Sequence, residues 1–245
     1  MQRFIRRGMR EILITGGTSG IGLAIARAFL AAGDHVVATA VSQTEIDRLA
    51  SSDTDDSFTC AVLDVTDESA VERFAARFPA LDVLVNCAGV AQPWPTEHAP
   101  EGFRRTVDVN LHGTMRMCFA FADALMARSG CVVNMASMLS QFGSATTPGY
   151  AASKGGVVQL TRSLAVAWSV RGIRVNAVAP GWVATPLTAP LREDAARVAA
   201  ILARTPMARW GEPADLAGPV LFLASASAAF ITGAVLTVDG GYSVA

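Results

Sequence analysis

The stretch Glu11-Ile12-Leu13-Ile14-Thr15-Gly16-Gly17-Thr18-Ser19-Gly20-Ile21-Gly22 decides how the rest of the chain is read. Its first five residues form a short, mostly apolar run of the kind that makes a buried strand. A glycine-rich turn follows at once, and the segment Gly22–Ala32 beyond it has helical periodicity. Glycine lets the chain turn tightly and lets a backbone approach a phosphate with no Cβ in the way. A helix starting at such a turn aims its unpaired N–H groups and positive dipole end at the same place. Gly16, Thr18, Ser19, Gly20, Ile21 and Gly22 are therefore candidates for holding a nucleotide. The spacing is G-x-x-x-G-x-G rather than G-x-G-x-x-G, and the Lys-Ser/Thr of a P-loop is absent. A glycine turn with no ligand would look the same in isolation.

Outward from this unit the pattern repeats. Further strand-like runs are His35–Thr39, Phe58–Leu63, Val83–Asn86, Cys131–Met135, Arg174–Ala179 and Val235–Val238. Helix-length segments lie between them at Thr44–Ala50, Glu68–Phe78, Phe103–Met126, Tyr150–Arg171 and Pro213–Ala224. Apolar strands alternating with helices predict a parallel sheet covered on both faces. The expected fold is one Rossmann-type, doubly wound α/β domain of about seven strands over residues 1–245. Length alone admits one or two domains, and no Pro/Gly/Ser-rich linker divides the chain. Two segments break the rhythm: Ala91–Pro100, with Pro93, Pro95 and Pro100 around Trp94, and the long excursion Gly181–Arg209. Both follow strands, and ligands in parallel sheets sit beyond strand carboxyl ends. Each is expected to wall a pocket, a plain surface loop being the other reading.

Composition removes several classes of function. With 20 basic and 21 acidic residues the net charge is −1, which gives no support to nucleic-acid binding. The chain is 51% hydrophobic and 17% charged, against about 25% charged in a common soluble domain. A spanning helix needs about 20 apolar residues, and the best stretch, Val220–Ile231, is too short and contains Ser225 and Ser227. No membrane is expected; the low charge points to a large core and buried subunit contacts. Met1–Arg10 is basic without the apolar run of a signal peptide, and Met9 would serve as an alternative start. Four scattered cysteines (Cys60, Cys87, Cys118, Cys131) and three histidines (His35, His98, His112) match no disulfide framework or metal spacing. A reducing cytoplasm and no metal are the expectations.

The basic residues hide an asymmetry: 19 are Arg, and the single lysine, Lys154, stands four residues after Tyr150, one of only two tyrosines. At i and i+4 the two project from one helix face. A phenol titrates near pH 10 and needs help to move a proton near neutrality; a neighbouring ammonium gives it. An ordinary helical contact in an Arg-rich chain is the alternative. Ser137 lies just past the strand Cys131–Met135, at the sheet edge that also carries the glycine turn. A hydroxyl there can donate to a substrate oxygen.

With these motifs assembled, the chain resembles the classical short-chain dehydrogenase/reductase family over nearly its whole length. The matching residues are Thr15-Gly16-x-x-x-Gly20-x-Gly22, Asp64-Val65, Asn86-Cys87-Ala88-Gly89, Asn110 in Val-Asn-Leu, Ser137, Tyr150, Lys154, Pro180-Gly181 and Thr185. The resemblance implies a nicotinamide dinucleotide cofactor. It would be held by the glycine turn, Asp64, Val65, Asn86, Ala88, Gly89, Tyr150, Lys154, Pro180, Gly181, Val183 and Thr185. It implies that Tyr150 moves the proton of a carbinol and that Ser137 bonds the same oxygen. Lys154 would lower the tyrosine's pKa and hold the nicotinamide ribose, and Asn110 would position a water. It also implies a homotetramer, with Tyr242 at a subunit contact. The chain departs from the pattern at the end of the second strand. There Val37-Ala38-Thr39-Ala40-Val41-Ser42 offers neither an acid for a ribose nor a cation for a 2′-phosphate. The cofactor is thus NAD or NADP, leaning to NAD, since a phosphate without a cation fits poorly.

The substrate is less legible. Trp94, Met138, Leu139, Phe142, Trp182 and Leu187 are pocket candidates by position. Arg128 and Arg171 are too few to mark a carrier-protein site. Residues Thr205–Pro213 are similar to the corresponding region of sugar and polyol dehydrogenases, and also of 3-oxoacyl-carrier-protein reductases. The expectation is a small-molecule secondary alcohol or ketone of sugar or polyol type, with the carrier-protein reductase as the alternative. A non-catalytic NAD(P)-sensing protein is the reading of another class. The complete Asn-Ser-Tyr-Lys set argues against it, and no G-x-S-x-G elbow suggests a hydrolase.

Overall fold

The computed structural model describes residues 9–49, 56–92 and 94–245. Most of the Met1–Arg10 segment, the end of the expected helix Thr44–Ala50, and Pro93 lie outside the described residues. The seven expected strands are all present: β1 (Glu11–Thr15), β2 (His35–Ala40), β3 (Phe58–Val62), β4 (Val83–Asn86), β5 (Cys131–Met135), β6 (Arg174–Pro180) and β7 (Val235–Val238). They pair in parallel in the order β3-β2-β1-β4-β5-β6-β7. The order reverses between β1 and β4. In such sheets the crevice beyond the carboxyl ends at that point takes the ligand.

Alternation along the strands builds two cores. Val37, Leu13, Leu84, Val132 and Val175 stand in one row across five strands. They meet helices α3 (Glu68–Ala75), α5 (Gly113–Ala120), α6 (Ala122–Met126) and α7 (Pro148–Trp168) through Phe74, Met117, Leu125 and Leu164. The next residues in register, Val36, Ile12, Val83 and Cys131, face α1 (Gly20–Ala31) and α10 (Pro213–Leu223), where Ile25, Phe29, Leu216 and Val220 pack. Burying a side chain of this size contributes about 1.5–3 kcal/mol. Both faces being covered is why the strands read as continuous apolar runs rather than alternating ones. The short helix α2 (Gln43–Asp47) starts at Ser42, whose hydroxyl accepts from Glu45 N.

One expectation is corrected. The segment Phe103–Met126 is not one helix. Helix α4 (Pro100–Val107) passes through a π turn at Asp108–His112 into α5, and Phe121 leaves helical geometry before α6. The excursion Gly181–Arg209 walls the crevice as expected, through Val183, Thr185 and Leu187 among others, and is folded rather than a plain loop. It carries α8 (Ala189–Arg192) and α9 (Ala195–Arg204), the latter capped by Asp194, which accepts from Ala196 N and Arg197 N.

Candidate active site

The floor of the site is the glycine turn. Gly16 and Gly20 have φ of +62° and +51°, a region that disfavours side chains. A Cβ on Gly22 would sit 2.2 Å from the Gly16 carbonyl oxygen. The start of α1 is therefore pressed against the turn, and its first N–H groups face the crevice. Thr15 fastens the neighbouring strand end: its hydroxyl accepts from Cys87 N and Ala88 N, both at 3.1 Å. The turn and the Asn86–Gly89 segment thus form two sides of one groove of about 370 Å³.

Residues predicted from the sequence line this groove: Gly16, Ser19, Gly20, Ile21, Gly22, Asp64, Val65, Ala88, Gly89, Ser137, Tyr150, Lys154, Pro180, Gly181, Val183 and Thr185. Asp64 is shaped by its own turn, accepting from Thr66 N and Thr66 Oγ1. Gly181 takes no Cβ, because one would lie 2.6 Å from Asp239 Cβ. Thr185 is tied to Thr188, whose hydroxyl donates to the Val183 carbonyl.

Three predicted residues stand elsewhere. Thr18 is buried behind the turn and is not part of the groove wall. Asn86 turns its amide into the core, donating to Asn134 Oδ1 and Cys118 Sγ. Asn134 in turn donates to Thr161 on α7. Asn110, fully buried in the π turn, spends its side chain on Val90 N, Val90 O and Ser153 Oγ. Asn110 therefore clamps the segment after β4 onto the helices rather than reaching the groove.

Ser137, Tyr150 and Lys154 converge from β5 and α7. Ser137 accepts from the backbone N–H groups of the turn it caps, Leu139 and Ser140, leaving its proton to give. Burial pushes the Tyr150 phenol up to about 12; a hydrogen bond from Ser137 opposes this, while the charges of Cys87 and Glu97 add to it. Burial also brings the Lys154 amine down to about 8. Its Nζ donates to the Met135 carbonyl at 2.7 Å and lies 5.6 Å from the Tyr150 ring centre. The expected depression of the tyrosine by Lys154 is not what this geometry gives, since the lysine is held on a carbonyl and burial dominates.

Of the proposed pocket residues, Leu187 lines the groove. Trp182 instead packs edge-on against Trp210 and Tyr242. Tyr242 is engaged within the chain, with Arg204 stacked 4.4 Å from its ring centre. Trp94 is exposed and packs edge-on against His98. Reading the sequence missed Val41, Glu45 and Arg105, which line the end of the groove beside Ala40 and Asp64. Glu45 sits five residues past the β2 end where an acid is expected, carried back by the capped start of α2. The motif spacing alone gives no signal for it.

The groove fits a dinucleotide by its own geometry. Its floor is bare backbone at Gly16, Gly20 and Gly22, and its two ends lie on opposite sides of the strand-order reversal. The family model described as Enoyl-(Acyl carrier protein) reductase matches residues 16–243. The chain is 38% identical to a 2-dehydro-3-deoxy-D-gluconate 5-dehydrogenase from Pseudoalteromonas atlantica, covering 99% of this chain and 98% of that one. It is 42% identical to a galactitol 2-dehydrogenase (L-tagatose-forming) from Cereibacter sphaeroides, covering 94% of each. The solved gluconate 5-dehydrogenase from Burkholderia cenocepacia, in complex with NADP and tartrate, is 36% identical with a TM-score of 0.88 over 96% of each chain. The chain belongs to the classical short-chain dehydrogenase/reductase family. It is an NAD(P)-dependent oxidoreductase acting on CH–OH groups.

Proposed function

We propose that the chain interconverts a secondary alcohol and a ketone on a small polyol or sugar acid, with Tyr150 as the proton-transferring group. The observation that carries this is the convergence of Ser137, Tyr150 and Lys154 in a groove floored in part by the bare backbone of Gly16, Gly20 and Gly22. The nicotinamide supplies the two-electron redox partner when bound. Gly16, Gly20 and Gly22 with the start of α1 hold the phosphates, and Thr185 and Val183 border the nicotinamide end. Ser137 donates to the substrate oxygen. Tyr150 gives its proton to that oxygen in reduction and takes it in oxidation, and Lys154 refills or drains the proton. A phenol held at about 12 is a ready donor at neutral pH and a reluctant base. Ketone reduction should therefore run well near pH 7, and alcohol oxidation should climb with pH into the alkaline range.

The preferred cofactor on this reading is NAD. The β2 end of the groove is lined by Ala40, Val41 and Glu45, with Arg105 of α4 in the same wall, and Glu45 is the charged group that directly follows β2. A carboxylate there can accept from a ribose hydroxyl and repels a 2′-phosphate. Glu45→Arg should move the preference toward NADP, read as the ratio of KM values and as dinucleotide Kd by fluorescence. The exposed apolar side chains Phe119, Val166 and Val170 support a homotetramer, checked by light scattering. The free thiols of Cys87, Cys118 and Cys131 support a cytoplasmic setting.

The deciding experiment assays purified protein with NAD and NADP against polyols, sugar acids, their ketones and a 3-oxoacyl thioester. Polyol or sugar-acid turnover is expected. Tyr150→Phe should lose it by about 10²–10⁴-fold while binding dinucleotide as the parent does. Normal turnover by that variant would overturn the assignment of the proton to Tyr150, and turnover of the thioester alone would overturn the substrate class.

A further inference from the structure

Glu97 is 1% exposed, yet it lies in the proline-rich segment between β4 and α4. Buried carboxylates are costly unless they are well bonded. Here the groups facing it are donors. Oε1 accepts from Gln92 N at 2.7 Å and lies 3.2 Å from the Thr106 hydroxyl of α4. Oε2 accepts from Tyr150 N at 2.8 Å. Tyr150 is the third residue of α7, so this is one of the N–H groups that a helix start leaves without an internal partner. The helix's own cap position, Thr147, gives the helix no side-chain bond, its hydroxyl being paired with Ser144 Oγ. A residue more than 50 positions earlier in the chain performs that task, and it does so at the tyrosine itself. Gly149 makes room: a Cβ there would lie 3.2 Å from Glu97 Oε2.

We propose that Glu97 is a positioning residue for the redox site, capping α7 at Tyr150 and so fixing where the phenol stands against Ser137. The proposal rests on Tyr150 being the proton-transferring group. Its logic is that the first turn of a helix frays when its N–H groups lack partners. The catalytic side chain is rooted in that first turn. Lys154, one turn further in, is held by the Met135 carbonyl and does not depend on the cap. A negative charge at a helix start is also favourable to the helix dipole. The same charge acts on the phenol. The groups that face Tyr150 are Cys87 from the segment after β4, Ser137 from the end of β5, Lys154 on its own helix, and Glu97. Glu97 is one of those that hold the phenol proton on.

The test compares Glu97→Gln, Glu97→Asp and Thr106→Val with the parent, following alcohol oxidation against pH, dinucleotide Kd and Tm. A second readout follows tyrosinate absorbance in a Tyr242→Phe background, where Tyr150 is the one remaining phenol; circular dichroism tracks folding alongside. Glu97→Gln places an amide beside donors. It should lower kcat about tenfold or more, leave dinucleotide Kd within about twofold, and move the alkaline midpoint down by about half a pH unit. Phenolate should form at lower pH than in the parent. Glu97→Asp, keeping the charge, should recover part of kcat and the parental midpoint. Thr106→Val loosens the same cluster on the side away from Tyr150 and should lower Tm with the midpoint unmoved. A folded Glu97→Gln with parental kcat and midpoint overturns the proposal. So does a Glu97→Gln that loses kcat only in step with Tm, as Thr106→Val would. Tyr150→Phe with normal turnover would instead remove the proton-transfer reading on which the proposal stands.

Discussion

Lys154 carries the one ammonium side chain of the protein into a place 4% exposed, where its Nζ has a single carbonyl partner. Burial disfavours its charged form, and the amine falls from 10.5 to about 8. Below pH 8 the folded and unfolded chains both hold the proton, and the folded one bears the full cost. Between 8 and 10.5 the unfolded chain still holds a proton that the folded one has released, so the contribution of Lys154 to stability rises with pH in that window, against the buried thiols of Cys87, Cys118 and Cys131, whose raised values act in the opposite direction above pH 9. Tyr150 acts in the other direction higher up. Its folded value is about 12 against an ordinary 10, so above pH 10 the unfolded chain ionises first and stability falls. Lys154→Met should therefore be more stable at pH 7 by on the order of 1–3 kcal/mol, yet inactive. Urea titrations at pH 7, 8, 9 and 10 should show the variant's advantage over the parent shrinking as the parent's amine loses its proton. Lys154→Arg keeps the charge but cannot release the proton. It should be both inactive and less stable, and activity within a few-fold of the parent would contradict the role given to the amine.

At the scale of elements, local pattern and packing divide the information unevenly. β1, β4, β5 and β7 have the bounds that their apolar runs predict, because a strand buried on both faces needs a short continuous run and little else. Helix α9 has a sequence sign, Asp194 ahead of Ala195–Arg204, but the three prolines of the excursion hide it, and the pattern there predicts a pocket wall without its helices. The π turn at Asp108–His112 has no local sign. It brings Asn110 onto Val90, and only the packed segment after β4 shows why. Glu97 is the strongest case. In a proline-rich loop a glutamate reads as solvated, and its burial comes from α4 and α7, which meet it from far along the chain. The glycine turn is the opposite case, since backbone geometry fixes its residue types. Gly22→Ala would put a methyl carbon 2.2 Å from the Gly16 oxygen. The turn or the start of α1 must move, at about 1–3 kcal/mol. Gly22→Ala should lose dinucleotide affinity by tenfold or more, measured by fluorescence titration, with far-ultraviolet dichroism unchanged. Parental affinity would show that the floor yields without consequence.

For the molecule as a whole, the two ends of the sheet do different work. Thr15, Asn86 and Met135 end their strands at the groove, whereas Glu11 and His35 begin theirs at the opposite edge. That far edge is held by a clasp the sequence does not announce, because its members are 24 and 214 residues apart. Arg10 bonds Asp34 through Nε at 2.9 Å and Nη2 at 2.6 Å, and donates from Nη1 to the Ala224 carbonyl at the end of α10. Asp34 is 5% exposed, and the guanidinium also lies over the Phe29 ring. One side chain thus joins the start of β1, the turn between α1 and β2, and the end of α10. Breaking a buried pair by removing one partner costs about 3–5 kcal/mol, since the other charge stays behind. With the arginine side chain partly exposed, Asp34→Asn should cost about 2–3 kcal/mol, a fall of roughly 4–12 °C in Tm for a chain of this size. Asp123→Asn breaks a pair with Arg171 whose carboxylate side is largely exposed, and should change Tm by no more than about 2 °C. In both variants kcat should match the parent below the transition, because the strands separate the clasp from the groove. A loss of kcat in Asp34→Asn well below its Tm would mean that the far edge sets the geometry at Tyr150, and the division between the two ends would fail.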